Sequence, residues 1–263
     1  MAKIMLGAPC GPGGVWSPKT AVAMLQASKN HTIEMTASIG SWDNHNILWS
    51  QALNKGRKGE IDCFAMCHSD IELDPGWLDT LYDVMVARGA ALCSAIVPQK
   101  GPQGITSSGI GTFDDPWTPH RRFTMSEVWA PNAPDTFDAN DCGYPDKYIL
   151  HNNGCWIADM KELAFYRTEV RNGREFYKCC FDFPHSIQHL GGEACAKGES
   201  EDWYFSRVIH ELGIKSCITR KVALDHCGPT PYGNQKPWGE WQHDEATRPN
   251  WEGDHQRNTT VNA

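Results

Sequence analysis

An apolar run that ends in polar groups and turns at once into a helix constrains this chain most: residues 60 to 82 read EIDCFAMCHSDIELDPGWLDTLY. Ile61 to Cys67 has the length and continuity of a strand buried on both faces, and His68, Ser69, Asp70 and Glu72 follow it directly. Asp74-Pro75-Gly76 then starts a helix over Gly76 to Ala87, with Leu78, Leu81, Tyr82 and Met85 at helical spacing. Open α/β sheets build ligand sites outside the carboxyl ends of their strands. Function is therefore expected at that edge.

The rest of the first hundred residues repeats the alternation. Lys3 to Pro9 predicts a strand, Ser17 to Ala27 a helix, Thr32 to Ser38 a strand, Asn46 to Asn54 a helix and Ala90 to Val97 a strand. Such alternation predicts a mostly parallel sheet covered by helices. The turn at Gly11-Pro12-Gly13-Gly14 lacks the Gly-Lys-Ser/Thr ending of a P-loop and is not a complete dinucleotide fingerprint, so it reads as a plain turn. From Gly101 to Tyr148 prolines punctuate a polar, aromatic stretch, and a loop region this long inside a domain often covers a site. A strand is expected over Ile149 to Asp159, a helix over Asp202 to Leu212 and a last strand over Lys215 to Leu224. Beyond Gly228 the chain is rich in Pro, Trp, Asn and His and is expected to wrap or trail over the domain.

Composition removes several classes. The 263 residues, 40% hydrophobic and 21% charged, suit one large α/β domain. A net charge of −8 gives no general attraction to polyanions. No apolar run approaches the roughly 18 residues of a membrane span, and Ile4-Met5-Leu6 is too short for a secretory core, so a cytoplasmic setting is the default expectation. The 11 cysteines then read mainly as buried thiols. A zinc site using Cys63, Cys67 and His68 is the alternative, without a paired C-x-x-C set to support it.

Three groups carry candidate chemistry. Asp70 and Glu72 share a side if extended geometry persists between them, and two oxygen ligands there could hold Mn²⁺ or Mg²⁺ together with diphosphate oxygens; a turn cap and a solvated acid are the bland equivalents. Glu199, Glu201 and Asp202 precede a helix, where acids are favoured by the helix dipole, but a carboxylate near an acceptor hydroxyl can also act as general base. His226 closes the run Val222 to Gly228 and is either a further metal ligand or a structural histidine.

Together these motifs resemble the glycosyltransferase-A (GT-A) fold and, within it, the family 2-like nucleotide-sugar transferases. Cys67 to Leu78 looks like that family's Asp-x-Asp strand end and Pro-Gly-Trp-Leu helix start, and Glu201 to Arg207 followed by Leu212-Gly213 looks like its Glu-Asp motif and helix. His226 falls where such enzymes often carry a third ligand, whereas His68 replaces the first acid of the motif. The resemblance implies a single-domain, Rossmann-type, mostly parallel sheet with flanking helices and an irregular insertion. Its GT-A-like domain would span residues 1–228, with a nucleotide-binding half at 1–100, an acceptor half at 101–228 and an insertion at 101–148; residues 229–263 form a C-terminal extension.

The implied activity is metal-dependent, inverting transfer of a sugar from a nucleoside diphosphate donor, UDP-sugar by family weight, to a hydroxyl. Asp70, Glu72 and His226 would bind the metal, and Asp202, with Glu201 competing, would take the acceptor proton. Ala8, Pro9, Asp43, His45, His68, Ser69, Lys100 and Trp156 would line the donor site, Lys100 meeting phosphate and Trp156 stacking on a ring. Arg121 and Arg122 could grip phosphate. The insertion also looks similar to compact transferases of tailed bacteriophages, which places hydroxymethylated DNA bases in a phage-infected cell beside glycans, proteins and small molecules as acceptors. A non-catalytic carbohydrate- or nucleotide-binding module of the same fold and a zinc-stabilised interaction protein remain the other classes.

Overall fold

The computed structural model describes residues 1–10, 18–27, 30–39, 43–228 and 230–239. The turn expected at Gly11 to Gly14, Ser41 and Trp42 just before the candidate donor-site residue Asp43, and most of the C-terminal extension lie outside them. The first part of the chain forms β1 (Lys3–Cys10), α1 (Pro18–Leu25), β2 (Thr32–Ile39), α2 (Asn44–Arg57), β3 (Cys63–Cys67), β4 (Ile71–Leu73), α3 (Trp77–Arg88) and β5 (Leu92–Ala95). The middle adds β6 (Ile105–Gly111), β7 (Arg121–Thr124), α4 (Met125–Val128), β8 (Thr136–Phe137), β9 (Tyr148–Leu150) and β10 (Cys155–Asp159). After a 3₁₀ turn at Leu163–Tyr166 come β11 (Thr168–Arg171), β12 (Arg174–Tyr177), β13 (His185–Leu190), β14 (Glu193–Gly198), α5 (Glu201–Glu211), β15 (Ser216–Thr219), β16 (Leu224–Cys227) and β17 (Pro231–Gly233).

The central sheet has the order β2-β1-β3-β10-β5-β15-β8. β1 runs parallel to β2 and β3, and β15 parallel to β5, while β10 lies antiparallel between β3 and β5. Only β10 and the short β8 oppose the common direction, so the fold is the mostly parallel, Rossmann-type α/β sheet that the alternation predicts. Every residue of β3 is buried, as a strand covered on both faces requires. One face packs Ala23 and Met24 of α1 and Trp77, Leu78, Leu81 and Met85 of α3; the other packs Leu48, Trp49 and Leu53 of α2 and Phe205, Val208 and Ile209 of α5. Among the described residues, no helix is long and apolar enough to cross a membrane.

Four stretches depart from the sequence reading. The single strand expected over Ile149 to Asp159 is two, because the Asn152 side chain accepts the Gly154 N–H at 2.6 Å and closes a local turn. β9 joins the small sheet β7-β6-β9, and β10 re-enters the central sheet reversed. Likewise the strand expected over Lys215 to Leu224 ends at Thr219, and a separate β16 pairs with β4 and β17. The insertion is therefore partly ordered sheet, with its own core of Ile110, Phe123, Val128, Phe137 and Ile149. Residues 160 to 200, where no pattern predicts an element, hold the hairpins β11-β12 and β13-β14.

Candidate active site

The site grows from the β4-β16 pair, which carries the polar ends of both segments. His226 lies opposite Ile71 in that antiparallel register, and the Cys227 N–H donates to the Asp70 carbonyl at 2.8 Å. These backbone bonds set the His226 ring beside the Asp70 carboxylate, with Nε2 and Oδ2 3.4 Å apart. The ring's other nitrogen, Nδ1, is 2.8 Å from the Pro98 carbonyl, which can only accept. Nδ1 must then carry the proton, and in the neutral ring the Nε2 lone pair faces a carboxylate oxygen. Two acceptors so placed are reconciled by a cation beside them or by a second proton on the ring. Lys100 supplies such a cation, its Nζ 2.5 Å from the same Asp70 oxygen. Burial alone would raise the Asp70 pKa, but the hydrogen bond from Lys100, with the one His226 donates when its ring is charged, outweighs it and holds the carboxyl far below the usual range.

This donor set suits a hard divalent ion. A carbonyl fixing the tautomer of a neighbouring imidazole is the usual outer support of a metal-bound histidine. Among the described residues no three His, Cys, Asp or Glu side chains form a closed cage. Mg²⁺-type sites commonly combine one or two protein groups with substrate phosphates and water, so two protein ligands leave room for a diphosphate.

Glu72 is placed differently from Asp70. Ser69 and Asp70 form a turn, so the extended geometry needed for a shared side begins only at Ile71 and does not include Asp70. Glu72 lies instead opposite Asp225, and Lys19 reaches both, at 3.8 and 3.4 Å, with Asp74 at 3.9 Å. The zinc alternative meets a similar obstacle. Cys63 and Cys67 stand at opposite ends of β3, a separation of about 13 Å for four strand steps, too far to share one ion. Eight of the eleven cysteines are buried, and burial pushes the Cys63 thiol up to about 12.

His68 links this corner to the larger cleft. Its N–H donates to the Gly154 carbonyl at 2.8 Å, which ties the end of β3 to the start of β10. The His68 and His45 rings meet Nε2 to Nε2 at 2.8 Å, so one donates and the other accepts. Burial lowers both, His45 to about 4 and His68 to about 3, and the pair is neutral at pH 7. His45 lines a cavity of about 720 Å³ with Asp43, Asn46, Phe181, Asp182, Phe183, His185 and Glu201. The Asn46 side chain holds the far wall by donating to the Phe181 carbonyl at 2.7 Å and accepting its N–H at 2.9 Å.

Glu201 and Asp202 open α5, whose cap is Ser200 accepting the Trp203 N–H. Asp202 accepts the Asn153 N–H at 3.2 Å, in the loop that joins β9 to β10. Burial, then the neighbouring Glu201 charge, pushes Asp202 up to about 8; the Asn153 N–H and the Arg122 charge pull the other way. Burial also raises Glu201. Arg122 lies 4.8 Å from the centre of the Trp203 ring, a cation–π contact beside that acid pair. The helix itself is anchored because the Ser206 hydroxyl donates to the Asp202 carbonyl and accepts the His151 N–H.

Several expected site residues are drawn elsewhere. Trp156 is buried to 1% exposure between Trp49, Phe64 and Phe205, so its ring is core and cannot stack on a ligand. Ala8 is also buried, and Pro9 is the penultimate residue of β1 at the same sheet edge. Arg121 is buried against Glu127 and serves the insertion, not a phosphate. Ser69 is half-buried in the turn before β4. Residues that sequence patterning missed, Phe181 to His185 and the Pro98 carbonyl, act through loop placement or backbone atoms, which leave no side-chain signature.

No protein-family model and no curated protein matches the chain. Among solved structures it is similar to A197 from STIV, with a TM-score of 0.50 and 10% identity over 92% of this chain and 95% of that one. It is also similar to UDP-glucose pyrophosphorylase complexed with UDP-glucose, at TM-score 0.40 and 10% identity over 86% and 94% of the two chains. A third similarity is to CMP:2-keto-3-deoxy-manno-octonic acid synthetase complexed with CTP, at TM-score 0.32 and 10% identity over 63% and 77%. At this identity a likeness concerns the fold alone, and the A197 match extends over nearly all of both chains.

Proposed function

We propose that this chain is a metal-dependent GT-A-type glycosyltransferase that moves a sugar from a nucleoside diphosphate, UDP by preference, to a hydroxyl acceptor. The observation that carries the reading is the convergence of Asp70 and the lone-pair face of His226, with Lys100 beside them, at the carboxyl edge of the sheet. Asp70 and His226 would hold Mn²⁺ or Mg²⁺, which when bound supplies charge neutralisation at the departing diphosphate. Lys100 adds a second positive charge at the same place.

The chain's own groups account for the other half of the reaction. An acceptor hydroxyl attacks the anomeric carbon, the carbon–oxygen bond to the diphosphate breaks, and the hydroxyl proton passes to Asp202. A buried carboxyl with a raised pKa is a stronger base once ionised than an exposed one. Glu201, on the cavity wall, is the competing base. A single displacement of this kind inverts the anomeric configuration. The nucleoside end would lie near Asp43 and His45, away from the diphosphate corner.

The acceptor is expected to be neutral. Asp43, Asp182 and Glu201 place three carboxylates on the cavity wall, which repel a polyanion, so glycans and other hydroxylic molecules are favoured over hydroxymethylated DNA. The test is Mn²⁺-dependent hydrolysis of UDP-sugars, compared between wild type and Asp70→Asn. Wild type should release UDP, and the variant should fold yet lose turnover by about a hundredfold. Full turnover in a folded Asp70→Asn protein would remove the metal assignment.

A further inference from the structure

Next to the Asp70–His226 corner, along the β16-β17 pair, lies a second cavity of about 640 Å³. Asp225, Thr230, Tyr232, Gln235, Lys236 and Trp238 supply the groups that line it. Its floor is two aromatic rings, Tyr232 and Trp238, with centres 5.8 Å apart and planes inclined by 31°. Both are held in place. Tyr232 pairs with His226 across β16-β17, and the Trp238 indole N–H donates to the Gly233 carbonyl at 2.7 Å.

The strap that carries these rings is fixed from below. Asn234, fully buried, donates to the carbonyls of Ile96 and Val222 and accepts the Leu224 N–H. Gly104 and Gly239, both at positive φ, let the 101–104 turn and the strap approach closely: a Cβ at Gly104 would lie 2.1 Å from the Trp238 carbonyl oxygen. Gly233 leaves the Asp225 carboxylate open to the groove, since a Cβ there would come within 2.8 Å of its Oδ1. A rigid aromatic floor edged by a carboxylate, an amide, a hydroxyl and an ammonium offers ring stacking together with donors and acceptors for hydroxyl groups.

We propose that this groove binds a neutral oligosaccharide. The surrounding charge disfavours the other ligand of stacked aromatic rings, a nucleic-acid strand: Asp225, Glu72 and Asp74 share Lys19, so that even with Lys236 these described groups leave a net negative charge for a polyanion to meet. The β16-β17 pair joins the groove to the metal corner: Asp225 and Tyr232 line the groove, and His226, opposite Tyr232, reaches Asp70. A glycan seated there is positioned as the distal part of an acceptor; that role rests on the glycosyl-transfer reading, whereas binding does not.

Calorimetric titration of the full chain with maltohexaose, cellohexaose, chitohexaose and mannohexaose, and with a hydroxymethylated oligodeoxynucleotide, tests the proposal. No metal or donor is added, so a protein that proves inactive in UDP-sugar hydrolysis still decides the question. At least one hexasaccharide should bind, Trp238→Ala should weaken it about tenfold or more, and Trp238→Phe should retain most of the affinity. Lys236→Ala, at an exposed position, should weaken binding without affecting the fold. Absence of hexasaccharide binding, binding unchanged by both Trp238→Ala and Lys236→Ala, or binding of the oligonucleotide alone would overturn the proposal.

Discussion

At the scale of single residues, Asp202 is held in a form that stability and catalysis value differently. Its raised pKa means that the folded state keeps a proton which the unfolded chain, at its ordinary 3.8, gives up. The contribution to stability is full below about pH 4, shrinks as pH rises, and is gone above the folded value of about 8. Asp202→Asn removes this dependence. Melting temperatures of the two proteins should converge near pH 4 and separate progressively toward pH 8, the variant being the more stable, while its transfer activity falls severely. A separation that does not vary with pH would show that the carboxyl is not strained by burial. For the wild type, the proposed role of Asp202 as base predicts that kcat/KM for transfer rises with pH toward 8, as its carboxyl ionises. Such a gain in stability on removing a working group is the usual cost of function.

Secondary elements show which parts of the sequence were readable. β3, the turn after it and α3 were legible because one apolar run, a Pro-Gly turn and helical spacing agree in sense, and Gly76 and Gly89 both take positive φ at the ends of α3. Asp70, His226 and the acid pair of α5 were legible as polar interruptions of such patterns. What was not legible depended on partners far away in sequence. Period-two reasoning did not carry from Asp70 to Glu72 because Asp70 itself belongs to the turn before β4, and Trp156 gave no sign of which side of β10 would be covered. Two elements invite direct measurement. Asn234→Ala leaves two carbonyls and an N–H without their side-chain partner and should cost about 3 kcal/mol or more in urea denaturation, with faster proteolysis of the strap at 230–239. In the insertion, Glu127→Ala takes the carboxylate from buried Arg121 and the reciprocal cap from Thr124, and should cost about 3–5 kcal/mol; a loss under about 1 kcal/mol would mean that the pair is not structural.

Across the whole molecule, the sheet order brings distant segments to one edge: His68 and Asp70 after β3, Asn153 before β10, Lys100 after β5, and His226 on β16. The antiparallel β10 places the Asn153–Gly154 loop at the carboxyl end of β3, which is why Asp202 and His68 can be tied to neighbouring atoms of one loop. The protein carries −8 overall, yet the corner proposed to face phosphate pairs Lys100 with the Asp70–His226 set, a local arrangement that the global charge does not reveal. Anomalous diffraction from crystals grown with Mn²⁺ and UDP tests this account most directly. A manganese peak bonded to Asp70 and His226, with the diphosphate on its open side and within reach of Lys100, is the predicted result; a diphosphate bound away from both side chains would contradict it.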